Sequence, residues 1–307
     1  MSTLDRRRFL TTVAALGGTA MLAGCDRFAG SAYGPRTLKA GEDANLFVQR
    51  LLLSNASLAR EFPESEISAV FKPNGTIDPP DKAYKALAAS NFSTFKLEVG
   101  GLVERPQSFS LAELRGLPSR TQTTRHDCVE GWSCIGKWAG VPLSEVLNRA
   151  GLKPQARYVV FHCADTLEYA GGGLEGGKDG TKNGAFLQPE NPSAVRHVQV
   201  AAAGNDADAW GGAPPEEPEE TRTPIRYYES IDLTDAFHPQ TILAYDLNGK
   251  PLPVSNGAPL RLRLERQLGY KQAKYVMRIE VVDSLAKIGD GQGGYWEDRG
   301  YEWYAGI

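Results

Sequence analysis

The apolar positions of this chain change their period several times, and the changes mark its elements. From Asn45 to Phe62, in NLFVQRLLLSNASLAREF, they recur at helical spacing around an irregular face. Residues 63–84 are broken by Pro and by Asn74-Gly75, which predicts irregular backbone with a turn at that pair. FKLEVGGLV (95–103) alternates and reads as a strand. Ser110, with Glu113 three residues on, makes a capping box that opens a short helix over 110–118. PLSEVLNRAGL (142–152) repeats that pattern, with Ser144 at its start and Gly151 as its stop. YVVFHCAD (158–165) is dense in β-branched and aromatic residues and predicts a buried strand.

Residues 170–224 differ in character: glycines, acidic runs and prolines cannot build a core, so an extended loop insertion is expected. Periodicity resumes at YYESIDL (227–233), a Ser-capped approach to a short helix. TILAYDLNGKPLP (241–253) reads as a hairpin around Asn248-Gly249, and LRLRL (260–264) and YVMRIEVVD (275–283) alternate as strands. The aromatics Tyr295, Trp296, Tyr301, Trp303 and Tyr304 of the tail are expected to pack against the body. Thirty-three glycines and nineteen prolines favour a loop-rich α+β protein over a helical bundle.

The N-terminus changes the picture of where this body works. Arg6-Arg7-Arg8 precede Phe9-Leu10 and an apolar stretch that runs to Cys25, too short and Gly-rich for a permanent span. The arginines fit a twin-arginine signal, which exports folded proteins. Leu22-Ala23-Gly24-Cys25 resembles a lipobox, with Cys25 the lipidated residue. The expected organisation is a signal over 1–24, a flexible tether over 25–43 and one domain over 44–307, placed in the periplasm with a lipid anchor at most. Folded export suits a chain that carries a cofactor inserted in the cytoplasm. The net charge of −3 comes without a basic stripe, which excludes a nucleic-acid partner.

Beyond Cys25 there are three cysteines, Cys128, Cys134 and Cys163. An odd count in an oxidising compartment leaves at least one thiol occupied otherwise than in a disulfide. Cys128 and Cys134 stand in RHDCVEGWSC (125–134), where Cys128 is a disulfide half, a buried filler, a nucleophile or a metal ligand. The spacing lacks the second ligand pair of a zinc site, and no Cys-x-x-Cys-His for c-type haem occurs. His126 reads as satisfying local hydrogen bonds. Cys134 and Cys163 are structural thiols or a pair.

VFHCAD, YYESIDL, LAYDLNGKPLPVSNGAPLRLRL and GYKQAKYVMRIEVVD together resemble the sulfite oxidase family of molybdopterin enzymes, and most closely its bacterial periplasmic reductase branch. The likeness runs from about Phe95 to Ile307, interrupted by 170–224, and is most specific in 126–132 and 245–274. It implies a single sulfite-oxidase-type molybdopterin-binding domain with mixed β-sheets, and Cys128 as the thiolate ligand of molybdenum. A soft thiolate suits that metal, and coordination deprotonates it. The pterin's dithiolene supplies further ligands, so the protein needs to supply one.

The same resemblance implies Asn256, Arg261, Gln272, Ala273 and Lys274 as cofactor-binding. Arg261 offers a planar fork for phosphate, Lys274 a point charge, and Asn256 a donor and acceptor for the pterin. Asn45 matches an early pterin-contacting asparagine, Cys163 falls where the reductase branch has a threonine near the metal, and Tyr228 is a candidate catalytic proton donor. Oxygen-atom transfer is the implied chemistry, with electrons from a membrane haem or cytochrome partner. Sulfite oxidases of the family place arginines just after the ligand cysteine; here that stretch is Val129-Glu130-Gly131-Trp132-Ser133, which favours reduction of neutral S-oxides or N-oxides such as methionine sulfoxide. Arg125 keeps sulfite oxidation as an alternative, and a non-catalytic anchored scaffold is the rival of another class. With no sequence left for an immunoglobulin-like dimerisation domain, a monomer is expected.

Overall fold

The structure is a computed structural model that describes residues 31, 33–52, 57–170 and 223–307. The signal, Cys25 and the insertion expected over 170–224, apart from its first and last residues, lie outside the described residues. The chain divides into two compact units, residues 1–57 with 304–306, and residues 58–303 with 307.

In the first unit helix α1 spans Gly34–Leu52, so residues 34–43 of the expected tether are helical, while 25–30 lie outside the described residues. Its first turns close locally: Thr37 Oγ1 donates to Tyr33 O at 2.9 Å, and Lys39 pairs with Asp43 one turn on at 3.5 Å. Polar, small residues read as a tether because composition does not reveal such pairs.

Among the described residues the second unit holds two five-stranded sheets. The first has the order β2-β1-β10-β5-β6, from β1 (Lys96–Gly101), β2 (Gln107–Ser110), β5 (Tyr158–Ala170), β6 (Thr223–Asp232) and β10 (Val276–Val282). Only β1 and β10 run parallel; the other pairings are antiparallel, so the sheet is mixed. The second sheet has the order β3-β4-β7-β8, with β9 (Arg261–Arg263) also paired to β7 (Ile242–Leu247). β3 is Arg120–Cys128, β4 Trp132–Pro142 and β8 Lys250–Pro251. One apolar cluster takes residues from both sheets, including Leu97, Val99, Phe161 and Val281 of the first and Val141, Leu243 and Leu262 of the second. The alternation read in 95–103 and 275–283 is the phase that buries those side chains.

Helices punctuate the strands. Before the sheets, α2 (Lys82–Ala89) is capped by the Asp81 side chain, which accepts from Tyr84 N. The capping box opens α3 (Leu111–Arg115) as expected, with Ser110 and Glu113 bonded reciprocally. In α4 (Leu143–Ala150) the cap position is Pro142, without a side-chain cap, so Ser144 lies inside the helix; Gly151 ends it at φ 69°. The short helix α5 (Leu233–Ala236) is capped by Asp232, because the strand extends through Ser230 and leaves that serine in β6. The Asn248-Gly249 turn joins β7 to β8 with both residues at positive φ.

Candidate active site

RHDCVEGWSC is the turn of the β3–β4 hairpin. Cys128, the last residue of β3, pairs with Trp132, and Gly131 adopts φ 84° to let the chain reverse. The Gly131 N–H donates to Cys128 O at 3.0 Å. The Glu130 backbone N–H donates to the Cys128 sulfur, which favours thiolate, while burial, the larger effect, pushes the thiol's pKa up. All three described cysteines are free thiols, so Cys134 and Cys163 do not pair. Cys134 Sγ instead rests 3.8 Å from Val70 O.

Cys128 faces a cavity of about 270 Å³. Four segments far apart in sequence meet there: Asn74–Thr76, the hairpin turn at Val129 and Glu130, the β5–β6 residues Asp165, Leu167 and Tyr227, and the stretch after β9 that brings Gly269, Gln272, Ala273 and Lys274. Trp296 and Tyr301 complete the wall. Of the residues expected at the site, the structure brings Cys128, Gln272, Ala273 and Lys274 together in this cavity.

Arg261 and Asn256 stand behind the wall. Arg261 is wholly buried; Nη2 donates to Asn74 Oδ1 at 3.1 Å and Nη1 to Asn256 O at 3.2 Å. Burial and the neighbouring Arg263 charge push its pKa down to about 9. Asn256 Nδ2 donates to Phe71 O at 3.5 Å, so its side chain braces the segment leading to Asn74. Lys274 Nζ donates to Asn74 O at 2.5 Å and also to Thr76 O, and burial lowers it to about 7. The Asn74-Gly75 turn is thus held from below by two cations. The turn itself was legible, but not its place in the site.

Of the remaining expected residues, Asn45 belongs to the first unit, and Cys163 and Tyr228 line a different cavity of the second. Asn45 is on α1 in the first unit, where Gln49 Nε2 donates to its side-chain oxygen at 3.4 Å. Cys163 is buried and lines a neighbouring cavity with Tyr84, His162 and Met277. Tyr228 lines that second cavity as well, and its hydroxyl donates to Asp298. Its neighbour Tyr227 touches that second cavity too but also lines the Cys128 cavity, with its hydroxyl bonded to Tyr270 O. Adjacent residues on a strand point opposite ways, so Tyr228 and Tyr227 do not both reach the Cys128 cavity.

His126 makes local hydrogen bonds as expected, and Asp165 lines the cavity without having been singled out in the sequence. His126 is buried two residues before Cys128, with Nδ1 3.1 Å from Gln272 Oε1 and 3.2 Å from Arg263 Nη1. Burial, then Arg261 and Arg263, holds its pKa well below the usual range, and the ring is neutral. Asp165, 4 % exposed, is raised to about 7 by burial against the pull of Lys274, and the Thr76 hydroxyl donates to it. Several buried polar atoms around the cavity are unengaged: His126 Nε2, Arg261 Nε and Asp165 Oδ1. Such atoms carry a desolvation cost unless a polar group meets them. Among the described residues no group of three His, Cys, Asp or Glu could hold a metal by itself.

A chain with one thiol at a cavity, unengaged buried donors and an acceptor, and two braced cations suits a group that is anionic, rich in hydrogen-bonding edges and brings its own metal ligands. The sequence matches the oxidoreductase molybdopterin binding domain family over residues 84–178 and 180–287, and the chain belongs to that family. It is a molybdopterin-dependent oxidoreductase whose cofactor is molybdenum-molybdopterin.

Among curated relatives, it is 34 % identical over 305 residues to an *Azospira oryzae* protein named provisionally as protein-methionine-sulfoxide reductase subunit YedZ1. That alignment covers 98 % of this chain and 87 % of the relative. The protein-methionine-sulfoxide reductase catalytic subunit MsrP of *Xanthomonas axonopodis* pv. citri is 33 % identical over 67 % of this chain. The chain spans about half of that relative's length, 49 %. The sulfane dehydrogenase SoxCD of *Paracoccus pantotrophus* is 20 % identical with a TM-score of 0.41, covering 62 % of this chain and 39 % of that one, a likeness too slight to bear on the assignment.

Proposed function

We propose that this oxidoreductase is exported by the twin-arginine route, holds molybdenum through Cys128, and reduces neutral S-oxides such as methionine sulfoxide with electrons from a membrane haem or cytochrome partner. The observation that carries the direction is that Glu130 faces the Cys128 cavity and Arg125 does not. Arg125 lines a different cavity from the one Cys128 faces, and its Nε donates to Asp127 at 2.9–3.0 Å. Glu130 lines the Cys128 cavity and accepts from Trp132 Nε1 at 2.8 Å. An anionic sulfite would meet a carboxylate there and not the guanidinium, whereas a neutral sulfoxide meets Val129, Leu167, Trp296 and Tyr301 as apolar wall. The relatives named as methionine-sulfoxide reductase subunits support the same direction.

When bound, the cofactor supplies oxygen-atom transfer, and the net reaction takes two electrons and two protons to convert a sulfoxide into a thioether and water. The chain's part is to bind and exclude. The hairpin turn presents the Cys128 thiolate, aided by the Glu130 N–H; Arg261 and Lys274 supply positive charge for an anionic cofactor; the aromatic wall keeps the substrate's apolar arms out of water. The Arg6–Arg8 signal and the lipobox at Cys25 support export and anchoring, each a reading of the sequence.

The experiment is expression of residues 26–307 in a molybdenum-replete host, with metal measured beside Cys128→Ser, then turnover of methionine sulfoxide and of sulfite. Near one molybdenum per chain, changed or lost in the variant, with sulfoxide turnover, is expected. Turnover of sulfite alone would sink the direction, and unchanged metal and electronic spectrum in Cys128→Ser would sink the ligand.

A further inference from the structure

Helix α1 of the first unit turns a continuous apolar face to solvent. At about 100° per residue, Ala40, Ala44, Phe47, Val48, Leu51 and Leu52 fall within an arc of about 140° around its axis. All six are exposed, Phe47 at 66 %, Leu51 at 70 % and Leu52 at 75 %. No charged side chain falls in that arc. Gly34, Thr37 and Gly41 fill the rest of it, and the Thr37 hydroxyl already donates to Tyr33 O. The other side of the helix is held within its own unit. Gln49 Nε2 donates to Gly306 O at 3.3 Å, the Tyr304 hydroxyl donates to Gln49 Oε1 at 3.2 Å, and the Arg50 guanidinium stacks 5.0 Å over the Tyr304 ring. Four large apolar side chains on two successive turns form one patch, which scattered surface residues do not.

Two properties of the chain decide what meets this face. Gly34 opens the helix only nine residues after Cys25, a stretch that spans at most about 30 Å fully extended. With Cys25 lipidated, the helix is confined to that distance from the headgroups, where a weak apolar affinity acts at high effective concentration. No helix among the described residues is long and apolar enough to cross a membrane. An uncharged apolar stripe backed by a charged side suits a helix that lies on the bilayer rather than through it. We propose that the apolar face of α1 rests in the lipid interface, with Phe47, Val48, Leu51 and Leu52 below the headgroups and Lys39 and Asp43 in water. This rests on the reading of Cys25 as an anchor and goes beyond it, because it adds a second contact that fixes how the helix sits on the bilayer. Arg36, Lys39 and Arg50 against Glu42 and Asp43 leave one net positive charge, so the contact is apolar and changes little with salt.

The test supplies a tether of its own, so that the helix and the anchor are read separately. Cofactor-loaded residues 26–307 with an N-terminal hexahistidine are held by a nickel-chelating lipid on vesicles of phosphatidylethanolamine and phosphatidylglycerol. A polarity-sensitive fluorophore is attached through Ala44→Cys, central in the apolar arc, or through Asp43→Cys, beside it and outside the arc. The native thiols Cys128, Cys134 and Cys163 are buried. On vesicles, emission from the Ala44 position should move to the blue and be quenched by acyl-chain nitroxides about threefold more than from the Asp43 position, at low and at high salt. Phe47→Asp combined with Leu51→Asp should remove that difference while molybdenum content and the far-ultraviolet spectrum stay as in wild type. Equal, water-like emission from both positions on vesicles would overturn the proposal. So would blue emission from the Ala44 position before vesicles are added, which marks a face covered by the chain itself or by a second copy, and so would a signal lost at high salt. The anchor is read from the mass of the N-terminal peptide of the full chain taken from its own membranes. An unmodified Cys25 sinks the anchored reading and the proposal with it, whereas a lipidated Cys25 with water-like emission from the Ala44 position sinks the helix contact alone.

Discussion

Arg263 and Glu265 form a forked ion pair inside the second sheet: Nε donates to Oε1 at 2.9 Å and Nη2 to Oε2 at 2.7 Å, with both side chains at most 1 % exposed. The pair sits under the site. Arg263 Nη1 reaches His126 Nδ1, its guanidinium stacks 4.3 Å over the Trp138 ring, and Gln122 Nε2 donates to Glu265 Oε1 at 2.9 Å. A buried pair adds little over a well-packed apolar replacement, but removing one member strands the other in low dielectric. Glu265→Ala is therefore expected to lower unfolding stability by about 3–5 kcal/mol, read from the urea midpoint. A loss under about 1 kcal/mol would mean that water reaches Arg263.

Gly269 is a second point of close approach. A Cβ built there would lie 2.5 Å from His126 Cε1 and 2.6 Å from Nε2, and 3.0 Å from Asp127 O. The imidazole is buried and hemmed by Phe71 and Trp132 at ring distances of 5.8 and 5.6 Å, so it has little room to move. Gly269→Ala should push the ring and the Cys128 hairpin apart. The expected outcome is a fall in molybdenum and pterin content of fivefold or more with the far-ultraviolet spectrum kept. Full cofactor content in the variant would show that His126 shifts freely.

The two tyrosines of β6 should separate function from packing. Tyr228 donates to Asp298, whose carboxyl also accepts from the backbone N–H groups of Asp290 and Gln292. Tyr228→Phe is expected to leave sulfoxide turnover within about twofold and to cost roughly 1 kcal/mol of stability, the worth of one hydrogen bond. Tyr227→Phe removes a hydroxyl at the cavity wall and should alter KM or kcat more than Tyr228→Phe. The reverse order in steady-state assays would return the proton-donor role to Tyr228.

Stability of the cofactor-free protein should depend on pH through Asp165. Its pKa is raised from 3.8 to about 7, chiefly by burial, so the folded state binds a proton that the unfolded chain has released. That contribution is complete below the unfolded value and is lost as pH rises through about 7. Lys274, lowered to about 7, contributes in the opposite sense: its stabilisation is present above the unfolded value and lost as pH falls through about 7, so between pH 4 and 7 Asp165 is the member of the pair that sets the slope. Wild type should lose on the order of a few kcal/mol across that window relative to Asp165→Asn. Parallel curves of midpoint against pH for the two proteins would show that Asp165 is not held protonated.

Much of the fold was legible along the chain because the signals are local. The Ser110–Glu113 box, the Gly151 stop and the Asn248-Gly249 turn need only their neighbours in sequence. Alternation in 95–103 and 275–283 set which side chains go inward, since one face of each strand must leave water. The family was legible for the same reason: Cys128, Gln272, Ala273 and Lys274 lie within short continuous motifs. The helix from Gly34 escaped because pairs such as Lys39–Asp43 are weak and its composition is that of a linker.

What the sequence by itself determined is therefore most of the element order and the cofactor class. Tertiary structure alone decided which of Tyr227 and Tyr228 faces the cavity, that Asn74 stands beside Arg261, and that Asp165 meets Thr76 across 89 positions of chain. The physical reason is that a strand's phase is defined only against the layer it packs on, and β5 and β6 shift register twice between His162 and Glu168. An unengaged carboxyl oxygen, likewise, exists only once every other group around it has found its partner.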